Sequence, residues 1–171
     1  MKSSKQIKVA SQMVEKYSKK ASVIAISLFG SVAEGRETPI SDLDIEIIDE
    51  EAEKFSYETK QIGGVYVDLV ILPKKSIQKR LKDYPYLNYG YINRKILYDP
   101  SGFMQKIKEE ASLYFSKHPE IVKFWEEKLE YVKRMKAEGK KPESAFKTYD
   151  EAEILFSKEH KITRDFFISN E

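Results

Sequence analysis

An apolar run that ends at a Gly-Ser pair, followed by a second run that carries two aspartates, constrains the fold of this chain most strongly. The first run, from Ser22 to Phe29, is apolar at nearly every position, which is typical of a strand covered on both faces. A polar turn follows from Gly30 to Ser41. The second run, from Asp42 to Asp49, alternates acidic and apolar residues and is therefore predicted to be a strand.

The two aspartates of the second run predict a cation site. Side chains alternate across a strand, so Asp42 and Asp44 are expected on one face. Carboxylates held this close repel each other unless positive charge offsets them. Oxygen ligands suit Mg²⁺ or Mn²⁺. A later run, from Val65 to Leu72, is also predicted to be a strand and carries Asp68. If the two strands are neighbours, three carboxylates converge.

The rest of the chain divides into a mixed part and a helical part. A helix capped by Ser3 or Ser4 is predicted to run to about Lys20. The other predicted elements are a strand at 55–62 that forms a hairpin through Gly63-Gly64, a helix at 74–83 and a strand at 95–98. Three helices are predicted to follow: one from Phe103 that is broken at His118-Pro119, one marked from Ile121 to about Glu138, and one from Glu143 toward Phe167. The chain is therefore expected to consist of a mixed α/β part in residues 1–101 and a helical region in residues 102–171.

Composition excludes several classes of protein. The chain has 171 residues, a net charge of +2 and no cysteine, so disulfide frameworks and thiolate metal sites are excluded. No apolar run approaches the roughly 20 residues needed to span a bilayer, and no membrane partner is expected. The first residues lack the apolar segment of a secretion signal, so a cytoplasmic location is expected.

These motifs resemble the nucleotidyltransferase superfamily of DNA polymerase β, especially its minimal prokaryotic members and the antibiotic nucleotidyltransferases. The shared pattern is Gly30-Ser31, a turn with Gly35 and Pro39, then Ser41-Asp42-Leu43-Asp44, and a third aspartate, Asp68, in a later strand. The resemblance covers residues 21–72. It implies a nucleotidyltransferase fold of class α/β (α+β), with a mixed sheet flanked by helices. It also implies the transfer of an NMP from an NTP to an acceptor hydroxyl or phosphate, with release of pyrophosphate.

The resemblance also implies a role for each matching residue. Asp42, Asp44 and Asp68 would bind Mg²⁺ or Mn²⁺, and Asp68 would serve as the base toward the acceptor. Gly30 and Ser31 would hold the phosphates of the donor, which is expected to be ATP. Many relatives carry arginine where this chain has Val32 and Glu34, so Arg36 is the expected substitute cation. Residues 102–171 are expected to supply the acceptor side, a dimer contact, or both.

Alternatives remain open at this point. The acceptor is a small molecule, a protein or an RNA. A nucleotide-binding module, antitoxin-like or sensing, that pairs with a helical partner without transfer is the second function. Glu46 is interpreted as a solvated or structural carboxylate rather than a metal ligand. The basic residues of 74–82 are interpreted as a solvated helix face, and the tyrosines of 84–98 as packing residues rather than a base-stacking surface.

Overall fold

The structure, a computed structural model, describes residues 4–143 and 145–157. Its helices are α1 Lys5–Tyr17, α2 Gly30–Ala33, α3 Lys74–Asp83, α4 Phe103–Ser116, α5 Pro119–Ala137 and α6 Ala145–Phe156. Its strands are β1 Val23–Phe29, β2 Leu43–Asp49, β3 Ser56–Ile62, β4 Val65–Pro73 and β5 Lys95–Tyr98. Two short 3-10 helices, Pro85–Leu87 and Tyr89–Tyr91, join α3 to β5.

The strands form one mixed sheet in the order β3-β4-β2-β1-β5. β2 lies at its centre, pairing antiparallel with β1 and parallel with β4. The parallel register sets Asp44 beside Asp68. The predicted neighbourhood of these two strands is therefore confirmed, together with the mixed sheet, the flanking helices and the hairpin between β3 and β4.

Helix α1 covers one face of the sheet. Ser4 caps it, and the Ser4 hydroxyl accepts from the Ile7 backbone N–H. The core between α1 and the sheet consists of buried apolar side chains: Val9, Ala10, Met13, Tyr17, Val23, Ile26, Leu28, Val32, Leu43, Ile45, Ile47, Val65, Val67 and Leu69. Because the odd-numbered residues of β2 point into this core, Asp44 and Glu46 are directed to the opposite face.

The described residues divide into two compact units. The first contains the chain up to Gln78 together with Gly90–Glu110, and therefore the whole sheet. The second contains Lys79–Tyr89 and the chain from Ala111. The functional division at residues 1–101 and 102–171 stays a prediction, and the predicted extension of the last helix toward Phe167 lies outside the described residues.

The second unit is built on aromatic packing. Trp125 is buried, and its indole N–H donates to the Tyr86 carbonyl oxygen at 2.8 Å. The ring of Phe124 meets that of Phe156 edge to face. Burial raises the pKa of the Tyr86 phenol. The interpretation of Tyr84, Tyr86 and Tyr91 as packing residues agrees with their burial.

No helix among residues 4–143 and 145–157 has both the length and the apolar character needed to cross a membrane.

Candidate active site

Three carboxylates converge at the start of the two parallel strands. Asp42 directly precedes β2, Asp44 is its second residue, and Asp68 lies on β4. One oxygen from each lies within 4.8 Å of the others. We call this trio the acidic site. Asp42 is exposed and the other two are half-buried, so the trio is open to solvent on one side.

Gly30 places the backbone directly against this trio. It follows β1 and opens α2 with φ of +68°, a conformation that side chains disfavour. A Cβ at this position would lie 2.1 Å from Asp44 Oδ2. Only glycine therefore lets the chain turn here without displacing the carboxylate. The turn predicted at Gly30–Ser41 thus begins with a single helical turn.

A buried glutamine fixes the loop that leads into Asp42. Gln6 on α1 is 1% exposed, and its side-chain amide donates to the carbonyl oxygens of Thr38 and Ser41 at 2.9 and 3.0 Å. The Ser41 hydroxyl accepts from the Thr38 backbone N–H at 2.9 Å. A buried amide is costly without such partners. Gln6 therefore attaches the loop that precedes Asp42 to helix α1.

Strand β3 adds hydroxyl groups beside Asp68. Thr59 faces Asp68 across the β3–β4 pairing, and its hydroxyl donates to Asp68 Oδ1 at 2.5 Å. The Tyr57 hydroxyl lies 3.1 Å from the same Thr59 oxygen. Hydrogen bonds to an ionised acceptor are short and strong, which agrees with the length of this contact.

Glu46 has a structural role rather than a solvated one. It is 2% exposed, and Arg94 Nη2 donates to its Oε2 at 2.9 Å. The Arg94 guanidinium carbon lies 4.1 Å from the centroid of the Phe29 ring, and the Tyr91 hydroxyl approaches Glu46 at 3.5 Å. We call Glu46 and Arg94 the buried ion pair.

The remaining predicted residues lie in the turn after β1. Ser31 is half-buried in α2, directly after Gly30. Arg36 is exposed and donates through Nε to Glu34 Oε2 at 2.6 Å. Within the described part of the chain Arg36 is thus engaged by an acidic neighbour, and its contact with donor phosphates stays a prediction.

Lys74 and Lys79 of the basic helix face also pair with acidic residues, Glu50 and Asp83.

Sequence reasoning missed Gln6, Thr59 and Arg94. Gln6 falls on the buried stripe of α1, at the spacing of Ala10, Met13 and Tyr17, which was the available signal. Thr59 and Arg94 carry no local signal, because each acts on a residue that is distant in the chain. Thr59 could be found only by pairing the hairpin through Gly63-Gly64 in the correct register.

The acidic site suits Mg²⁺ or Mn²⁺ by its donor chemistry. All three groups are carboxylates, and hard divalent cations prefer oxygen ligands. The absence of a Cβ at Gly30 leaves Asp44 Oδ2 undisturbed. Asp42, Asp44 and Asp68 would therefore hold the cation.

A mixed sheet that presents converging carboxylates beside a glycine turn is the kind of scaffold that supports phosphoryl displacement. The family model of the nucleotidyltransferase domain matches residues 8–99. This stretch is more than half of the chain and includes the acidic site and Gly30. The chain belongs to the nucleotidyltransferase domain family, and the predicted family membership is confirmed.

A comparison with solved structures also found a match. A nucleotidyltransferase-like protein from Exiguobacterium sibiricum matches over 96% of this chain and 68% of its own length, with 10% identity and a TM-score of 0.49. No curated protein matches the sequence of this chain.

Proposed function

We propose that this protein transfers a nucleoside monophosphate from an NTP, with ATP as the expected donor, to an acceptor hydroxyl or phosphate. Family membership supports nucleotidyl transfer in general. The observation that carries the proposal is the convergence of three carboxylates within 4.8 Å against the backbone of Gly30.

Divalent cations held by Asp42, Asp44 and Asp68 would supply positive charge to the triphosphate and lower the pKa of the attacking hydroxyl. The chain's own groups do the rest. The backbone at Gly30 and the Ser31 hydroxyl would hold the β- and γ-phosphates, because a residue without Cβ lets phosphate approach closely. Arg36 would offset phosphate charge after it exchanges Glu34 for the donor.

The step balances without a further reactant. The acceptor oxygen forms a bond to the α-phosphorus, and the bond from the α-phosphorus to the bridging oxygen of the β-phosphate breaks. Pyrophosphate leaves with that electron pair. The acceptor proton would pass to the Asp68 carboxylate, and the hydrogen bond that this carboxylate accepts from Thr59 supports the assignment.

A nucleotide-binding module without transfer is the alternative function. Binding alone needs the turn around Gly30 but not three carboxylates, and all three are present here in one cluster. Their presence favours the enzyme.

The test uses NTPs labelled on the α-phosphate, with a cell lysate as the source of acceptors. In the presence of Mg²⁺ we expect label from one of the four NTPs, with ATP as the expected donor, to enter a discrete acceptor. One pyrophosphate should be released for each nucleotide that is transferred. Asp42→Asn serves as the inactive control. Saturable NTP binding without label transfer in any lysate fraction would instead support the binding module.

A further inference from the structure

Two hydroxyl groups of β3 lie beside the acidic site. The single proton of the Thr59 hydroxyl is used in the 2.5 Å contact with Asp68 Oδ1, since an ionised carboxylate is the stronger acceptor. The Tyr57 hydroxyl lies 3.1 Å from Thr59 Oγ1 and is also hydrogen-bonded to the Asp68 carboxylate. Both side chains therefore bring a hydroxyl group to Asp68.

Thr59 engages Oδ1 of the Asp68 carboxylate across the pairing of β3 with β4. Side chains that hydrogen-bond to a ligating carboxylate fix its orientation, and their loss typically weakens metal affinity or activity about 10- to 100-fold. A strand residue with a branched, stiff side chain suits this task, because the rotamer of threonine is restricted by its backbone.

We propose that Thr59, supported by Tyr57, is the positioning residue that orients the Asp68 carboxylate toward the cation and the acceptor. This inference rests on the proposed function and extends it to the edge strand of the sheet. Thr59 acts through Asp68 and touches no reacting atom. Thr59 lies on β3, the edge strand of the sheet, directly opposite Asp68.

The test compares Thr59→Val, which keeps the shape and removes the hydroxyl, with Thr59→Ser, which keeps the hydroxyl. Ser56→Val is the matched control, because it removes a hydroxyl from the same strand on the opposite face. The first readout is Mn²⁺ binding measured by electron paramagnetic resonance. The second readout is the release of pyrophosphate from Mg²⁺-ATP in the presence of the lysate fraction that contains the acceptor. Far-ultraviolet circular dichroism confirms that each variant is folded.

We expect Thr59→Val to weaken Mn²⁺ binding about 10-fold or more and to lower kcat with little change in the KM for ATP. Thr59→Ser should restore most of the affinity, and Ser56→Val should equal the parent. A folded Thr59→Val protein with parental Mn²⁺ affinity would overturn the inference, as would a Thr59→Ser protein that loses as much as Thr59→Val.

The Mn²⁺ measurement separates this inference from the proposed function. A parent that binds Mn²⁺ but transfers no nucleotide would refute the function, and the loss of Mn²⁺ affinity in Thr59→Val would still support the role of Thr59. A parent that binds no Mn²⁺ would overturn both proposals.

Discussion

The acidic site and the buried ion pair are two regions of one sheet face that handle negative charge in different ways. Asp44 and Glu46 lie two residues apart on β2 and point in the same direction. Asp44 belongs to a trio of carboxylates that is open to solvent on one side. Glu46 is enclosed and carries its counter-charge with it, in the form of Arg94.

This difference separates a charge that stabilises the fold from charges that we propose act in the reaction. A buried carboxylate must be paired, and Arg94 also packs its guanidinium on Phe29, the residue before Gly30. Carboxylates brought as close as those of the acidic site repel one another unless positive charge offsets them, and a divalent cation would supply that charge. We therefore expect substitutions in the two regions to have opposite signatures on stability and on cation binding.

The largest expected effect is on catalysis and belongs to the acidic site. Asp44→Asn should abolish transfer and Mn²⁺ binding, because a carboxylate ligand is lost. Its thermal unfolding midpoint without metal should equal or exceed that of the parent, since repulsion is relieved. Asp49→Asn, at the other end of β2, is the matched control and should bind Mn²⁺ normally. Parental turnover of Asp44→Asn at saturating Mg²⁺ would contradict the assignment.

The next effect is on stability and belongs to the buried ion pair. Arg94→Met should lower the free energy of unfolding by about 3–5 kcal/mol, because it leaves the Glu46 charge buried without its partner. Urea unfolding followed by circular dichroism measures this loss. The double variant Arg94→Met, Glu46→Leu should recover much of it. If Arg94→Met lowers the free energy of unfolding by less than about 1 kcal/mol, the buried ion pair does not stabilise the fold.

The smallest expected effect distinguishes two glycines of the turn after β1, of which only Gly30 lies against the acidic site. Gly30 and Gly35 both have positive φ, +68° and +67°, so alanine at either position should cost about 1–2 kcal/mol. Only at Gly30 would the new Cβ meet Asp44 Oδ2, at 2.1 Å, whereas at Gly35 no atom lies within 4 Å. Gly30→Ala should therefore also weaken Mn²⁺ binding, measured by the same resonance signal, while Gly35→Ala should not. Equal Mn²⁺ affinities would show that Asp44 moves aside without consequence.

Much of the fold was predictable because its signals are local. Strands β1, β2 and β4 follow from their apolar runs, and the hairpin follows from Gly63-Gly64. Asp42, Asp44 and Asp68 could be named because alternation along a strand and an ordered motif place them together. The one-turn helix at Gly30 could not be predicted from the sequence, because four residues are too few to show a helical periodicity.

The supporting residues could not be predicted, because they depend on pairings across long stretches of chain. Arg94 is 48 residues from Glu46, and Gln6 is 32 residues from Thr38. Sequence patterns left Glu46 as either a solvated or a structural carboxylate, and only its partner decides between the two. The roles predicted for Ser31 and Arg36, and for residues 102–171 as acceptor side or dimer contact, stay predictions.

The parallel pairing of β2 with β4 has a consequence for how the site comes into being. β1 and β2 form one antiparallel ribbon, and β3 and β4 form another. Asp44 belongs to the first ribbon, whereas Asp68 and Thr59 belong to the second. Neither ribbon contains an assembled site, so the trio exists only after the two have docked along β2 and β4. Contacts between segments distant in sequence form slowly during folding. The ability to bind a cation would therefore appear when the two ribbons pair with each other, and not when each ribbon forms by itself.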